Sequence, residues 1–131
     1  MAAEALVRSE IDAGLNLIRA LDASGFGVQA ALWLYMGDND TWKLIIAYRG
    51  GKDQIGKKYM DAATAVADWR ERHPNEPVLD LGRVRIVPAE DKLISGLRPV
   101  IHLDGLGEVR FSHNLVNGIY VEDALIHRLA A

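Results

Sequence analysis

His113 and Glu122 are the residues of this chain whose types and spacing best suit proton transfer. Between them stands Asn117-Gly118, the strongest short signal for a two-residue hairpin, because a type I′ turn needs positive φ at both central positions. Pairing Val116 with Ile119 and counting outward sets His113 opposite Glu122, Ser112 opposite Asp123 and Phe111 opposite Ala124, with Arg110 diagonal to Asp123. A carboxylate directly across the ladder orients an imidazole, raises its pKa and equips it as a general acid or base. A polar couple that satisfies itself in or at the rim of a core would be written the same way. On the opposite face Arg110, Ser112 and Asn114, with Asp123 fixing the guanidinium, have the makings of a small-anion or phosphate site. A solvated sheet face would look alike. Glu122 and Asp123 are consecutive, so in a strand they point to opposite faces and cannot act as a carboxylate dyad.

Other chemistry is thinner. His102-x-Asp104 opens the stretch IHLDGLGEVRFSHN, residues 101–114. As a hairpin around Gly105-Leu106-Gly107, that stretch would gather His102, Asp104, Arg110 and Ser112 on one face, but it would also oppose Asp104 to Glu108, a repulsive pair. Asp38, Asn39 and Asp40 offer oxygen ligands far short of the roughly six to eight that calcium takes, and read as turn residues. Gly51 to Lys58 has the Gly-Lys spacing of a phosphate-binding loop, with Lys58 where a Ser or Thr must coordinate magnesium. The absence of cysteine removes disulfides, thiolate catalysis and Cys-ligated zinc. No metal and no cofactor are expected. Trp33, Tyr35, Trp42 and Tyr48 form the remaining concentration of interest, fitting either a core beneath a helix or an interface patch.

The elements that must position these groups follow from periodicity. Val7, Ile11, Ile18 and Leu21 recur at helical spacing, with Leu15 widening the stripe, which predicts a helix over about 3–23 ended by Gly25. VQAALWLYM and TWKLIIAY flank Gly37-Asp38-Asn39-Asp40, a turn composition, so Met36 should pair with Thr41. Trp33 and Tyr35 then share a face with Trp42, Leu44, Ile46 and Tyr48, while Leu32, Leu34 and Ile45 take the other. Both faces are apolar, so helices must cover both sides or a second subunit must cover one. Residues 52–72 read as a helix through Tyr59, Ala63, Val66 and Trp69, the two prolines of 73–77 break the pattern, and 83–87 fit a short strand. Leu93, Ile94, Leu97, Val100 and Ile101 keep one helical phase and favour a helix over 89–103, kinked at Pro99, in which His102 and Asp104 leave one another's face. The last segment, 121–130, is favoured as a strand over the alternative of a closing helix.

Trp42 to Ala47 and Arg110 to Arg128 resemble parts of a set of small uncharacterised bacterial proteins that carry a W-(K/R)-L-(V/I)-I-A strand and an R-F-S-x-N-x-(V/I)-N-G-x-Y-(V/I)-E-D-A-x-I-x-R ending. The resemblance is confined to these two segments. It implies a helical run before Arg-Phe-Ser and a C-terminal strand, and it carries no activity.

These readings combine into one α+β domain over residues 1–131, ordered α-β-β-α-β-α-β-β, with a mainly antiparallel sheet packed by helices. The chain has 131 residues, half of them apolar, enough for one core. Fifteen Lys and Arg against eighteen Asp and Glu give a formal charge of −3, which disfavours nucleic acid as a partner. No apolar run reaches membrane-spanning length, the N-terminal segment is interrupted by charges unlike an export signal, and a cytoplasmic setting is expected. The expected function is a noncatalytic interaction or regulatory module that self-associates, most simply as a dimer. The alternative is a small enzyme acting on a phosphate-containing substrate, nucleic acid among the candidates, with His113 and Glu122 transferring protons and Arg110 holding the anion.

Overall fold

A computed structural model describes residues 5–130. The first helix, α1, runs Arg8–Ala23 and buries Ile11, Gly14, Leu17, Ile18 and Leu21. It starts later than the sequence predicts, and positions 3–4 lie outside the described residues. Its end is a Schellman motif: Gly25 takes φ 77°, Gly25 N–H donates to Asp22 C=O at 3.2 Å and Phe26 N–H to Leu21 C=O at 3.1 Å.

Next, β1 (Val28–Met36) and β2 (Thr41–Tyr48) form the expected hairpin, with Met36 opposite Thr41. A 3₁₀ turn at Lys52–Gln54 leads into α2 (Ile55–Arg72), whose buried contacts are Ala62, Ala65 and Val66; Ala63, expected on the stripe, faces outward. After the proline segment and a second 3₁₀ turn come β3 (Val84–Pro88), α3 (Lys92–Leu97), β4 (Val109–Val116) and β5 (Ile119–Leu129). The element order and the α+β class are those expected from the sequence.

The sheet is five-stranded, ordered β3-β2-β1-β5-β4, antiparallel except where β3 runs parallel to β2. Its two faces carry separate cores. Beneath α1 and α2 lie Trp33, Trp42, Leu44, Ile46 and Tyr48; on the other face α3 packs with Leu32, Ile45, Val87, Val121 and Ile126. Helices therefore cover both faces of the apolar hairpin, but the second cover is only six residues long.

Residues 89–103 are not one helix. Asp91 caps α3, accepting from Leu93 N–H at 3.1 Å, and the helix stops before Pro99, whose ring and missing N–H end the hydrogen-bond ladder. Beyond it Leu103 bridges to Leu129 of β5 rather than to β4, which also removes the 101–112 hairpin.

Gly96 is where α3 meets the β4–β5 hairpin. A Cβ there would stand 2.5 Å from Val116 Cγ1 and 2.8 Å from Asn117 Cβ, whereas at Gly56 of α2 it would meet nothing within 4 Å. Gly96→Ala should therefore destabilise the fold by about 1–3 kcal/mol through overpacking. Gly56→Ala should stabilise it by up to roughly 1 kcal/mol, through helix propensity alone. Urea unfolding of the two variants checks the opposite signs.

Candidate functional site

The Asn117-Gly118 turn forms as expected, with φ 51° and 80°, and β4 and β5 hold the predicted register at Phe111↔Ala124, Ser112↔Asp123 and Val116↔Ile119. His113 and Glu122 nevertheless do not join. His113 has φ 52° and is skipped by the ladder, between Ser112↔Asp123 and Asn114↔Val121. Its Nδ1 shares a hydrogen bond of 3.0 Å with Tyr120 Oη instead. The left-handed backbone also breaks side-chain alternation. Phe111 and Val116, an odd number of residues apart, both face the α3 side, as do Ala124 and Val121. Glu122 turns toward the β1–β2 turn, its Oε1 3.6 Å from the position a Cβ on Gly37 would take. The proposed proton-transfer pair is thus a correct register with a broken contact.

The anion group is assembled only in part, and that part is occupied: Arg110 and Ser112 meet on Asp123, whereas Asn114, beyond the break in alternation, pairs with Val121, which faces α3. Asp123 accepts from Arg110 Nε at 2.8 Å, from Arg110 Nη2 at 2.5 Å and from Ser112 Oγ at 2.8 Å. The guanidinium holds the Asp123 carboxyl below its ordinary pKa, with Ser112 adding to the effect against partial burial, and Arg110 is raised in turn. Asn114 Nδ2 donates to Ser112 C=O at 3.1 Å. An arriving phosphate would have to displace a bidentate carboxylate.

The aromatic quartet is corrected as an interface. Trp33, Trp42 and Tyr48 are buried beneath α1 and α2, and Tyr35 packs against that core with its ring centroid 5.5 Å from that of Trp42. Lys58, the odd residue of the phosphate-loop resemblance, donates to Phe26 C=O at 2.9 Å and lies over the Phe26 ring. No group of three or more His, Asp or Glu among the described residues could hold a metal ion. His102 and Asp104, expected to diverge, meet at 3.0 Å on the surface.

Sequence reasoning missed two features. One is His127, which is 0 % exposed. Ala31 pairs with Arg128 and Leu32 with Ile126, so His127 is an extra, bulged residue of β5. Its Nδ1 lies 2.7 Å from Gly107 C=O while Gly107 N–H donates back to His127 C=O at 2.9 Å. A carbonyl only accepts, so Nδ1 carries the proton and Nε2, buried without a partner among the described residues, does not. The other is a cleft of about 640 Å³ at the end of the sheet, lined among others by Tyr35, Met36, Lys43, Tyr59, Arg85 and Glu122. The lone charges in TWKLIIAY and VRIV, Lys43 and Arg85, were its sequence signals.

The chain matches no protein-family model, no curated protein and no solved structure.

Burial pushes the His127 imidazole below its ordinary pKa, against the raising effects of the Gly107 hydrogen bond and Glu108. The unfolded chain then takes up the proton first, so stability is full above about pH 6.5 and falls as pH drops below it, by at most roughly 1.4 kcal/mol per pH unit. Glu108, held down by its hydrogen bond to Arg8, and Asp123 lose their contributions only at lower pH, in the carboxylate range. His127→Gln, which keeps an N–H for Gly107, should abolish the slope between pH 7 and 5 in chemical unfolding, and an unchanged slope would clear His127 of this role.

Proposed function

We propose that the protein is a cytoplasmic, noncatalytic interaction or regulatory module that forms a homodimer through the tip of the β4–β5 hairpin. The observation that carries this reading is the cross-strand pair Leu115 and Tyr120, 71 % and 60 % exposed and directly opposite one another. Two large side chains left in water side by side, where neither helical cover reaches, mark a contact surface. The His113 bond holds the Tyr120 ring, lowering the ordering cost of docking it.

A second copy suits this surface because residues 113–121 contain no Asp, Glu, Lys or Arg. A two-fold axis brings the patch onto itself without like-charge repulsion. The far edge of the sheet is less suited: Tyr59 Oη accepts from the outward Ile86 N–H at 3.0 Å, and Pro88 has no N–H to offer. Two anchoring side chains per copy fall short of a standard interface of about 1,600 Å², so the dimer is weak, with Kd on the order of micromolar.

Sedimentation velocity from about 5 to about 500 µM should show a concentration-dependent dimer. Leu115→Lys and Tyr120→Ser, both at exposed positions, should leave the fold intact and shift the equilibrium to monomer. A chain that stays monomeric throughout that range, or that dimerises equally well with either substitution, would overturn the reading.

A further inference from the structure

The second face of the sheet is covered only in part. Beside the start of α3 a groove of about 270 Å³ remains, lined by Leu34, Met36, Ile45, Val87, Leu93 and Ile119, with Arg85 and Asp91 beside them. It shares Leu34, Met36, Arg85 and Ile119 with the larger cleft at the sheet end. The two are limbs of one amphipathic channel, apolar beside α3 and polar beyond Arg85. Arg85 is the register partner of Ile45 in the parallel pair, so its side chain leaves the sheet on the same apolar face. It makes no hydrogen bond or ion pair with the described residues. Lys43, one strand over, donates to Gly82 C=O at 2.9 Å and has no carboxylate partner among them.

We propose that this channel binds an aliphatic monocarboxylate of medium chain length, its tail in the apolar limb and its carboxylate on Arg85 and Lys43. The two cations lie on β3 and β2; the acids of the polar limb are Asp38 in the β1–β2 turn and Glu122 on β5, the latter three strand spacings (about 14 Å) from β3 and two (about 10 Å) from β2. Asp91, the one acid of the apolar limb, is turned to its own task of capping α3 at Leu93 N–H. A guanidinium at the mouth of an apolar groove rewards a ligand that has both a tail to bury and an anionic end. A neutral alcohol satisfies only the first requirement and a small anion only the second.

Calorimetry and methyl-resolved NMR with butanoate, hexanoate and octanoate, beside 1-octanol and octylamine, test this directly. Affinity should rise about three- to fourfold per methylene until the limb is filled, and methyl shifts should centre on Ile45, Leu93 and Ile119. Octanoate should exceed 1-octanol and octylamine should be weakest. Arg85→Gln, at an exposed position, should weaken octanoate about tenfold, and Arg85→Lys should recover part of the loss. Lack of saturable binding, shifts centred elsewhere, or octylamine equal to octanoate would overturn the assignment. Tyr120 lines the polar limb as well as the dimer surface, whereas Leu115 does not line the channel; the Leu115→Lys protein should therefore lose the dimer and keep octanoate binding, which separates failure of one reading from failure of the other.

Discussion

β1 and β2 have no polar face. Across Val28–Met36 and Thr41–Tyr48 only Gln29, Thr41 and Lys43 break the apolar run, and both faces of the pair are buried. A hairpin so written cannot lie at a surface. It must be covered twice, and the remaining elements are the means of covering it. On one side α1 and α2 supply thirty-four helical residues, sixteen and eighteen, over a core anchored by Trp33 and Tyr48. On the other the cover is α3, six residues, with Ile101 and Leu103 filling in from less regular chain. The inequality of the two covers is what leaves a groove beside α3.

The two strands that complete the sheet depart from regularity at one histidine each. At His127 an added residue in β5 buries an imidazole and spends it on Gly107, which fastens the segment before β4 to the sheet. Arg8 reinforces that fastening from α1, gripping Glu108 through Nη1 at 3.0 Å and Nη2 at 2.7 Å. At His113 a left-handed residue reverses which side chains face α3, so that Val116, Ile119 and Val121 reach the core while Leu115 and Tyr120 turn out to water. A regular hairpin would have kept one alternation to its tip. The same local departure explains both the missing His113–Glu122 contact and the exposed pair.

Local signals in the sequence carried much of this. Gly37 to Asp40 and Asn117-Gly118 each fix a register between neighbouring segments, and every partner and face assigned from the first turn agrees with the structure. Non-local facts were out of reach. Nothing near Arg83–Val87 says that β3 lies parallel to β2, and nothing in β5 says that it runs beside β1, because those pairings are chosen by burial of the whole sheet. The error over 89–103 has a different origin. Val100 and Ile101 keep the helical phase of Leu93 and Leu97 by coincidence, Val100 being exposed, and Pro99 decides the end against the pattern. As for the candidate site, its residues could be counted into place, but not the φ of one histidine or the prior claim of Asp123 on Arg110.

The shortness of α3 is itself imposed from both ends. At its start Pro88 closes β3 and Asp91 caps the first turn, so the helix cannot begin earlier. At its close Gly96 lies against Val116 and Asn117, and Asn117 Nδ2 donates to Lys92 C=O at 3.0 Å, pinning the hairpin turn along the helix flank. A longer helix on the same axis would continue through Pro99, which forbids it. Nor can the sheet shrink to match, since Leu34 and Met36 are needed to complete β1 opposite Lys43 and Thr41. With the cover fixed at six residues and the strands fixed at their length, the margin holding Leu34, Met36 and Ile119 stays half-buried. The groove beside α3 is therefore a consequence of how the sheet is capped rather than of loose packing; of the cations at its edge Lys43 is held by Gly82 C=O, and Arg85 has no hydrogen-bond or ion-pair partner among the described residues.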